Sequence, residues 1–408
     1  MASRRSAWIN PPRLRTSPED EEERERHATW FELFFDLVFV AAVAQLAAAL
    51  SREPDLAGFL RFAALFVPIG WAWAGFSFYA NRFGTDDVIL RLVKGLAMLA
   101  IAALATSVHS VMHGGHGATT FALSYVATRS CLIALYARAR RHVGGAARRL
   151  IDIYIGGFSA GIAIWLASIW VPGPARYWMW GGALVLEITM PVFGWRASGG
   201  LSVNASHITE RYGQFFIIVL GESIVAVVAG IAGTHITTAA FALAALGFAI
   251  GLSLWWIYFD LADTSVVGRG LFGLVFVYSH IPLLAGVAAV GAGTKIAITH
   301  ANASGLGAGA RWAIGGGVAC FLLSLAVVHI GAEWTSLRDR AFLGRLASSA
   351  VVIVLAAAGG GLPPVAFTAL LCAILIAQLV LELLTYPSGA ASVWIAPAPL
   401  ASPEPIAS

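Results

Sequence analysis

The sequence predicts an all-α integral membrane protein of about twelve transmembrane helices, arranged as a six-plus-six parallel internal repeat. Three observations predict this. Of its 408 residues, 59% are hydrophobic and only 12% charged, about half the ~25% charge of soluble domains. Apolar runs as long as the hydrocarbon layer demands recur along the whole chain. Matching motifs recur, in order, in its two halves.

The first 26 residues are polar and charged, with an Arg-rich start and an acidic block from Glu19 to Glu25. They read as a disordered cytoplasmic tail, 1–26, with no cleavable signal peptide. Spans are then expected over 30–50, 57–80, 88–112, 117–138, 149–171, 176–195, 211–232, 237–261, 270–292, 311–331, 343–361 and 364–386. The eleventh is rich in small residues and ends in "AAAGGGLPP". Residues 27–200 form the first six-helix repeat, 201–387 the second, and 388–408 a disordered C-terminal tail. The 43 glycines suit helices that approach closely in a membrane. Cys131, Cys320 and Cys372 lie in apolar runs without metal-ligand spacing and read as packing residues.

Charge gives the orientation, because loops rich in Lys and Arg stay cytoplasmic. With the N-terminus inside, twenty of the 26 basic residues fall on the inner side and five on the outer, while Arg129 lies within a span. Both termini are therefore expected in the cytoplasm. Basic residues spread among loops explain the net charge of +4 without nucleic acid as a partner.

The repeat rests on three matches. "WFELFFDLVFV" (30–40) parallels "RYGQFFIIVLG" (211–221), with His27 and His207 just upstream. "SFYANRFGTDD" (77–87) parallels "WIYFDLADT" (256–264), and "LVLEIT" (184–189) parallels "LVLELLT" (379–385). The last match places Glu187 and Glu382 in equivalent sixth and twelfth spans. Halves of six spans share one orientation, and sites in such proteins lie between them.

An ionised group at the bilayer centre costs about 2.5–3.5 kcal/mol on insertion scales, so intramembrane charges are candidates for function. They are Asp36, Glu222, Arg129, Glu32, Glu187 and Glu382, with Gln45 and Gln214 as polar neighbours. Glu32 and Asp36 are four apart and share a helix face. Glu32 opens its span, where water and the helix dipole suit it, whereas Asp36 lies a turn deeper on a side chain too short to reach out. Glu222 is expected near mid-membrane. Arg129, the one deep base, is expected to pair with Asp36 or Glu222. Asp152, Asp260 and Asp263 lie at span ends. His207, Glu210 and Arg211 read as a helix start at the mouth of the seventh span. His109, His113 and His116 cluster in an outer loop, too weak a pattern for a metal site. No nucleotide, nucleophile or haem signature is present: "GAGTK" (291–295) lacks Walker spacing and "GES" (221–223) lacks the second glycine of a nucleophile elbow. No cofactor and no metal is expected.

"WFELFFDLVFVAAVAQL" (30–46), "FYANRFGTDD" (78–87), "RYGQFFIIVLGESI" (211–224), "WWIYFD" (255–260) and "YSHIPLLAGVAAVGAG" (278–293) resemble the bacterial low-temperature-requirement A (LtrA) family over about 27–385. The resemblance implies a multi-pass protein of the bacterial inner membrane and supplies no substrate. Its motif positions correspond here to Glu32, Asp36, Asn81, Asp86, Asp87, Glu210, Arg211, Glu222, Asp260 and His280.

Two functional classes fit. The first is a secondary transporter or ion pathway for a small solute or ion, with Glu222 or Asp36 as titrating group in a proton-coupled version. The second is a non-transport membrane protein, such as an intramembrane enzyme or assembly factor. It would act on lipid or cofactor where His27, Asp86, Asp87, Glu210 and Arg211 gather at the cytoplasmic face. The bilayer is the partner common to both, and the oligomeric state stays open.

Overall fold

A computed structural model describes residues 8, 10–12, 14, 29–52, 54–112, 117–199, 205–261, 271–330 and 338–385. The helices are α1 (Trp30–Arg52), α2 (Leu56–Arg82), α3 (Val88–Met112), α4 (Gly117–Arg140), α5 (Gly145–Ala167), α6 (Pro174–Ala197), α7 (Ala205–Ala232), α8 (Thr238–Leu261), α9 (Leu271–Thr299), α10 (Ala308–Arg311), α11 (Gly317–Ile330), α12 (Arg340–Ala358) and α13 (Pro364–Thr385). A π turn, Trp312–Gly316, joins α10 to α11, so the two form one rod. Most of the tails expected over 1–26 and 388–408 lies outside the described residues, as do His27, His113, His116, Asp263 and the side chain of Asp260.

The apolar runs form helices as expected, with three shifted boundaries. Helix α5 begins at Gly145, before the expected 149, and α9 continues to Thr299, past 292. Helix α7 begins at Ala205 rather than 211. In its polar opening His207, Ile208 and Thr209 are buried, so backbone hydrogen bonding outweighs polarity there. Among the described residues eleven rods are long and apolar enough to cross a membrane. The sixth, Pro174–Ala197, falls outside that set. It carries Tyr177, Trp178, Trp180 and Trp195, whose polar ring atoms favour membrane interfaces over the hydrocarbon centre.

Burial separates centre from perimeter. About 78% of the spanning windows of α9 and of the α10–α11 rod is buried, against 33% for α5, α7 and α12. From Pro68 to Arg82 every residue of α2 is enclosed in this centre. Exposed Phe34, Leu96, Leu99, Phe193, Phe241 and Val354 coat the outside, the face lipid tails would meet. Helix α9 approaches α11 backbone to backbone. A Cβ at Gly317 would sit 2.5 Å from the Gly286 carbonyl oxygen, so only glycine lets these backbones touch.

The neighbours follow one order in each half: α1 on α3, α3 on α4, α4 on α5 and α5 on α6, then α7 on α9, α9 on α11, α11 on α12 and α12 on α13. The second helix of each half departs from that order: α8 packs on α13 while α6 makes no comparable contact with α2, and α2 packs on α4 while α8 makes no comparable contact with α11. The halves meet where α1 and α2 pack on α7 and α9.

The two ends of the bundle differ. Arg91, Arg138, Arg140, Arg141, Arg148 and Arg196 lie where α1, α3, α5 and α7 begin, which is called here the arginine-rich end. There Asp87 caps α3, accepting from the Leu90 amide at 2.9 Å, and forms an ion pair with Arg138 at 2.5 Å. The N-terminal segment docks on this corner: the Asn10 amide donates to Asp87 at 3.2 Å, Arg138 donates to the Asn10 carbonyl at 2.6 Å, and Leu14 bridges Phe83.

Candidate functional site

The described residues include three buried Arg–carboxylate pairs, two of them on opposite sides of α2. The first joins the halves. Arg211 of α7 donates from Nη1 to Asp36 Oδ2 at 2.8 Å and from Nη2 to Asp36 Oδ1 at 2.6 Å. Parallel bonds of this kind match the guanidinium fork to the carboxylate. Trp73 of α2 adds a third donor, its indole N–H meeting Asp36 Oδ1 at 2.7 Å. That indole stacks on Phe215 at 4.2 Å and meets Tyr212 edge-on at 4.7 Å. Asp36 is wholly buried and Arg211 nearly so.

One turn nearer the arginine-rich end is Glu32. Expected at the water's edge, it is instead buried. With Thr29 it forms a capping box: the Glu32 amide donates to Thr29 Oγ1 at 3.2 Å and the Thr29 amide to Glu32 Oε2 at 3.0 Å. His207 Nε2 lies 3.9 Å from the same carboxylate, and Lys94 and Arg211 add electrostatic attraction. Lys94 is buried, its ammonium 5.4 Å from the Phe35 ring centre. The cavity beside this group, lined by Glu32, Lys94, Tyr79, Thr85 and Asp86, has a volume of about 10 Å³, space for a single water.

The second pair corrects the expected partnership of Arg129. Its Nη2 lies 2.5 Å from Oε2 of Glu187 on α6, both side chains fully buried, rather than beside Asp36 or Glu222. Tyr125 bridges the two, accepting from Arg129 Nε at 3.0 Å and donating to Glu187 at 2.8 Å. Phe158, Tyr125 and Trp71 enclose the guanidinium at 5.0–5.8 Å, a cation–π cage. Gly161 and Gly75 make the room. A Cβ at Gly161 would meet Glu187 Oε1 at 2.5 Å, and one at Gly75 would meet Arg129 Nη1 at 2.7 Å.

The third pair ties α12 to α13. Arg345 donates to Glu382 from Nε at 2.9 Å and from Nη2 at 2.7 Å, and Gln378 adds a bond of 2.7 Å. Glu187 and Glu382, matched in sequence, are thus both buried against an arginine, supplied by α4 in one case and α12 in the other.

The remaining predicted residues are scattered. Glu222, expected to be the deepest carboxylate, is half-buried on α7 with Lys295 of α9 as its electrostatic neighbour. Gln45 is exposed on the outer face of α1. Gln214 donates to Glu210 at 3.0 Å. Asp86 pairs with Arg91 at 2.7 Å on the surface, and Asp152 with Arg140, likewise exposed. Asn81 and His207 are buried. His280 lies against Tyr258, with Nε2 at 2.9 Å from the hydroxyl and Nδ1 at 2.6 Å from the Phe276 carbonyl. The carbonyl requires a proton on Nδ1, so in the neutral ring Nε2 accepts from Tyr258.

Residues 27–380 match the family model for bacterial low temperature requirement A protein. The chain belongs to the LtrA family. A curated relative of similar sequence is an uncharacterized protein of Rhizobium meliloti (strain 1021), 26% identical over 324 residues and covering 74% of each chain. With the helical architecture, the LtrA match makes this a multi-pass membrane protein. Its name describes a growth requirement and adds no chemistry to the three pairs.

Sequence reasoning missed Lys94, Arg211 and Arg345 as buried partners, counting them with the inner loops, and passed over Trp73 and Tyr125. A signal existed for Arg345: it lies within the eleventh apolar run, whose neighbouring span carries Glu382. For Trp73 and Tyr125 none existed, because an aromatic ring in an apolar helix is unremarkable by itself.

Proposed function

We propose that this LtrA protein is a secondary transporter whose two six-helix halves are latched by Asp36 and Arg211, with the arginine-rich end and both termini in the cytoplasm. One observation carries the reading: the buried Asp36–Arg211 pair links the first helix of one half to the first helix of the other. A charge pair at a moving seam suits a switch, because its two states differ in electrostatic energy and not only in packing. Alternating access rocks one half against the other. The shared neighbour order of the halves supports the six-plus-six repeat that such rocking requires. In the proton-coupled form, protonation of Asp36 would release Arg211, and Glu222, half-buried beside Lys295, would be the second titrating group.

The lipid- or cofactor-processing reading gains no support from the arginine-rich end, where the described cavity is only water-sized. The transport reading is tested by reconstituting the full chain in liposomes and following internal pH under imposed proton and solute gradients. Flux that falls at least tenfold in Asp36→Asn or Glu222→Gln agrees with it. Absence of flux under every gradient, or variants equal to the parent, sinks it.

A further inference from the structure

At the end opposite the arginine-rich one, α2, α3, α5 and α6 line a half-open cavity of about 590 Å³, well within the ~300–1,000 Å³ of small-molecule sites. We propose that it binds a single-chain amphiphilic acid, apolar tail inward and anionic head at Arg61. This inference does not depend on the transport reading.

The walls are apolar: Leu65 and Pro68 of α2, Val111 of α3, Leu184 of α6, and the indoles of Trp165 and Trp180. The two indoles stack at 4.7 Å, and Trp180 is fixed by an N–H bond of 2.8 Å to Ser168 Oγ. Their rigidity preforms the chamber, which lowers the ordering cost of binding. A neutral polar solute would lose its water here and find few replacements. A hydrocarbon chain loses nothing by entering. Among the described residues no acceptor meets the Trp165 indole N–H, although Trp165 is buried and lines the cavity.

The polar end of the site is defined by Arg61, on the second turn of α2 and exposed. Its Nη1 donates to the Met112 carbonyl at 3.2 Å, which holds the guanidinium between the ends of α2 and α3. A fixed guanidinium beside an oily chamber is complementary to a carboxylate on an alkyl tail. The inner wall touches the bundle's own charge network. Trp165 packs at a tilt on Tyr125, ring centres 4.4 Å apart, and Tyr125 donates to Glu187. An occupant would therefore press on the ring that holds the Arg129–Glu187 pair.

Gly181 supplies a clean test. It lines the cavity, and a Cβ there meets nothing within 4 Å, so Gly181→Leu fills the chamber without a clash against the backbone. Gly182 also has open space around it but does not line the cavity, so Gly182→Leu is the control. The full chain in phosphatidylcholine nanodiscs would be titrated with cis-parinaric acid, read by energy transfer from tryptophan against empty discs. The expected result is saturable transfer, lost in Gly181→Leu and kept in Gly182→Leu. Laurate should displace the probe at least tenfold better than dodecanol, and Arg61→Gln should erase that preference. Ala64→Phe, which narrows the same chamber from α2, serves as a second filler should Gly181→Leu fail to fold. Absence of saturable transfer, or a parent-like response from a folded filler variant, overturns the site. Equal displacement by dodecanol overturns the anionic head. Displacement by phosphatidylglycerol included in the disc assigns the cavity to bilayer lipid and overturns the single-chain acid.

Discussion

Asp36 and Arg211, 175 residues apart in the chain, face each other fork to fork inside the protein, with Trp73 completing the shell of donors. Removing one member leaves the other charged and enclosed, which costs about 3–5 kcal/mol. Arg211→Met is therefore expected to lower the thermal midpoint of the detergent-solubilised chain sharply. Asp36→Leu combined with Arg211→Met should recover much of the loss, because two apolar residues leave no stranded charge. A double variant as unstable as the two singles added together would show that the pair is not coupled.

Trp73→Phe separates the hydrogen bond from the packing. The phenyl ring can keep its stack on Phe215 but offers Asp36 no donor. The expected loss is about 1.5–3 kcal/mol, the range for a bond to a charged group, measured by chemical unfolding in mild detergent. No change would assign Trp73 to packing alone.

Gly161→Ala is expected to destabilise the first half by about 1–3 kcal/mol, the range for overpacking a filled interior. Its new methyl would meet the Glu187 carboxylate at 2.5 Å. Gly182→Ala, placed in open space on α6, should be neutral or mildly stabilising. Equal effects from the two would remove the steric argument for Gly161.

The Asp87 corner gives a pH dependence. Burial alone would raise the Asp87 carboxyl, but the bonds from Arg138 and the Leu90 and Asn10 amides outweigh it and hold the group below the usual carboxylate range. A folded-state value under the unfolded ~3.9 means stabilisation that is full above pH ~4 and fades as pH drops through the folded value. Thermal midpoints between pH ~3 and ~6 should fall at the acid end, and Asp87→Asn should reduce that fall. An unchanged acid limb in the variant would locate the titration elsewhere.

The fold was legible because lipid imposes a blunt code: each long apolar run became a helix, and only its ends moved. The site was legible in part. Charge inside apolar runs marks Asp36, Glu187 and Glu382 as candidates for function, and each is buried against an arginine. Their partners were harder to read. Arg129 was sought beside Asp36 or Glu222 because chain order says nothing about which helices touch. The sequence match between Glu187 and Glu382 was the better guide, since each of the two glutamates is buried against an arginine. Arg211 was read as a border residue because helix α7 was started six residues late. The segment from Ala205 to Glu210 is polar enough to resemble a loop, yet it is helical and His207 to Thr209 are buried.

The three internal pairs each sum to zero charge. A membrane potential does work on net charge moved through it, about 2.3 kcal/mol per elementary charge per 100 mV. Motions that carry Asp36 with Arg211, Arg129 with Glu187, or Arg345 with Glu382 thus move no net charge across the field. Voltage would bear on these three pairs only through whatever separates one of them or protonates its carboxylate.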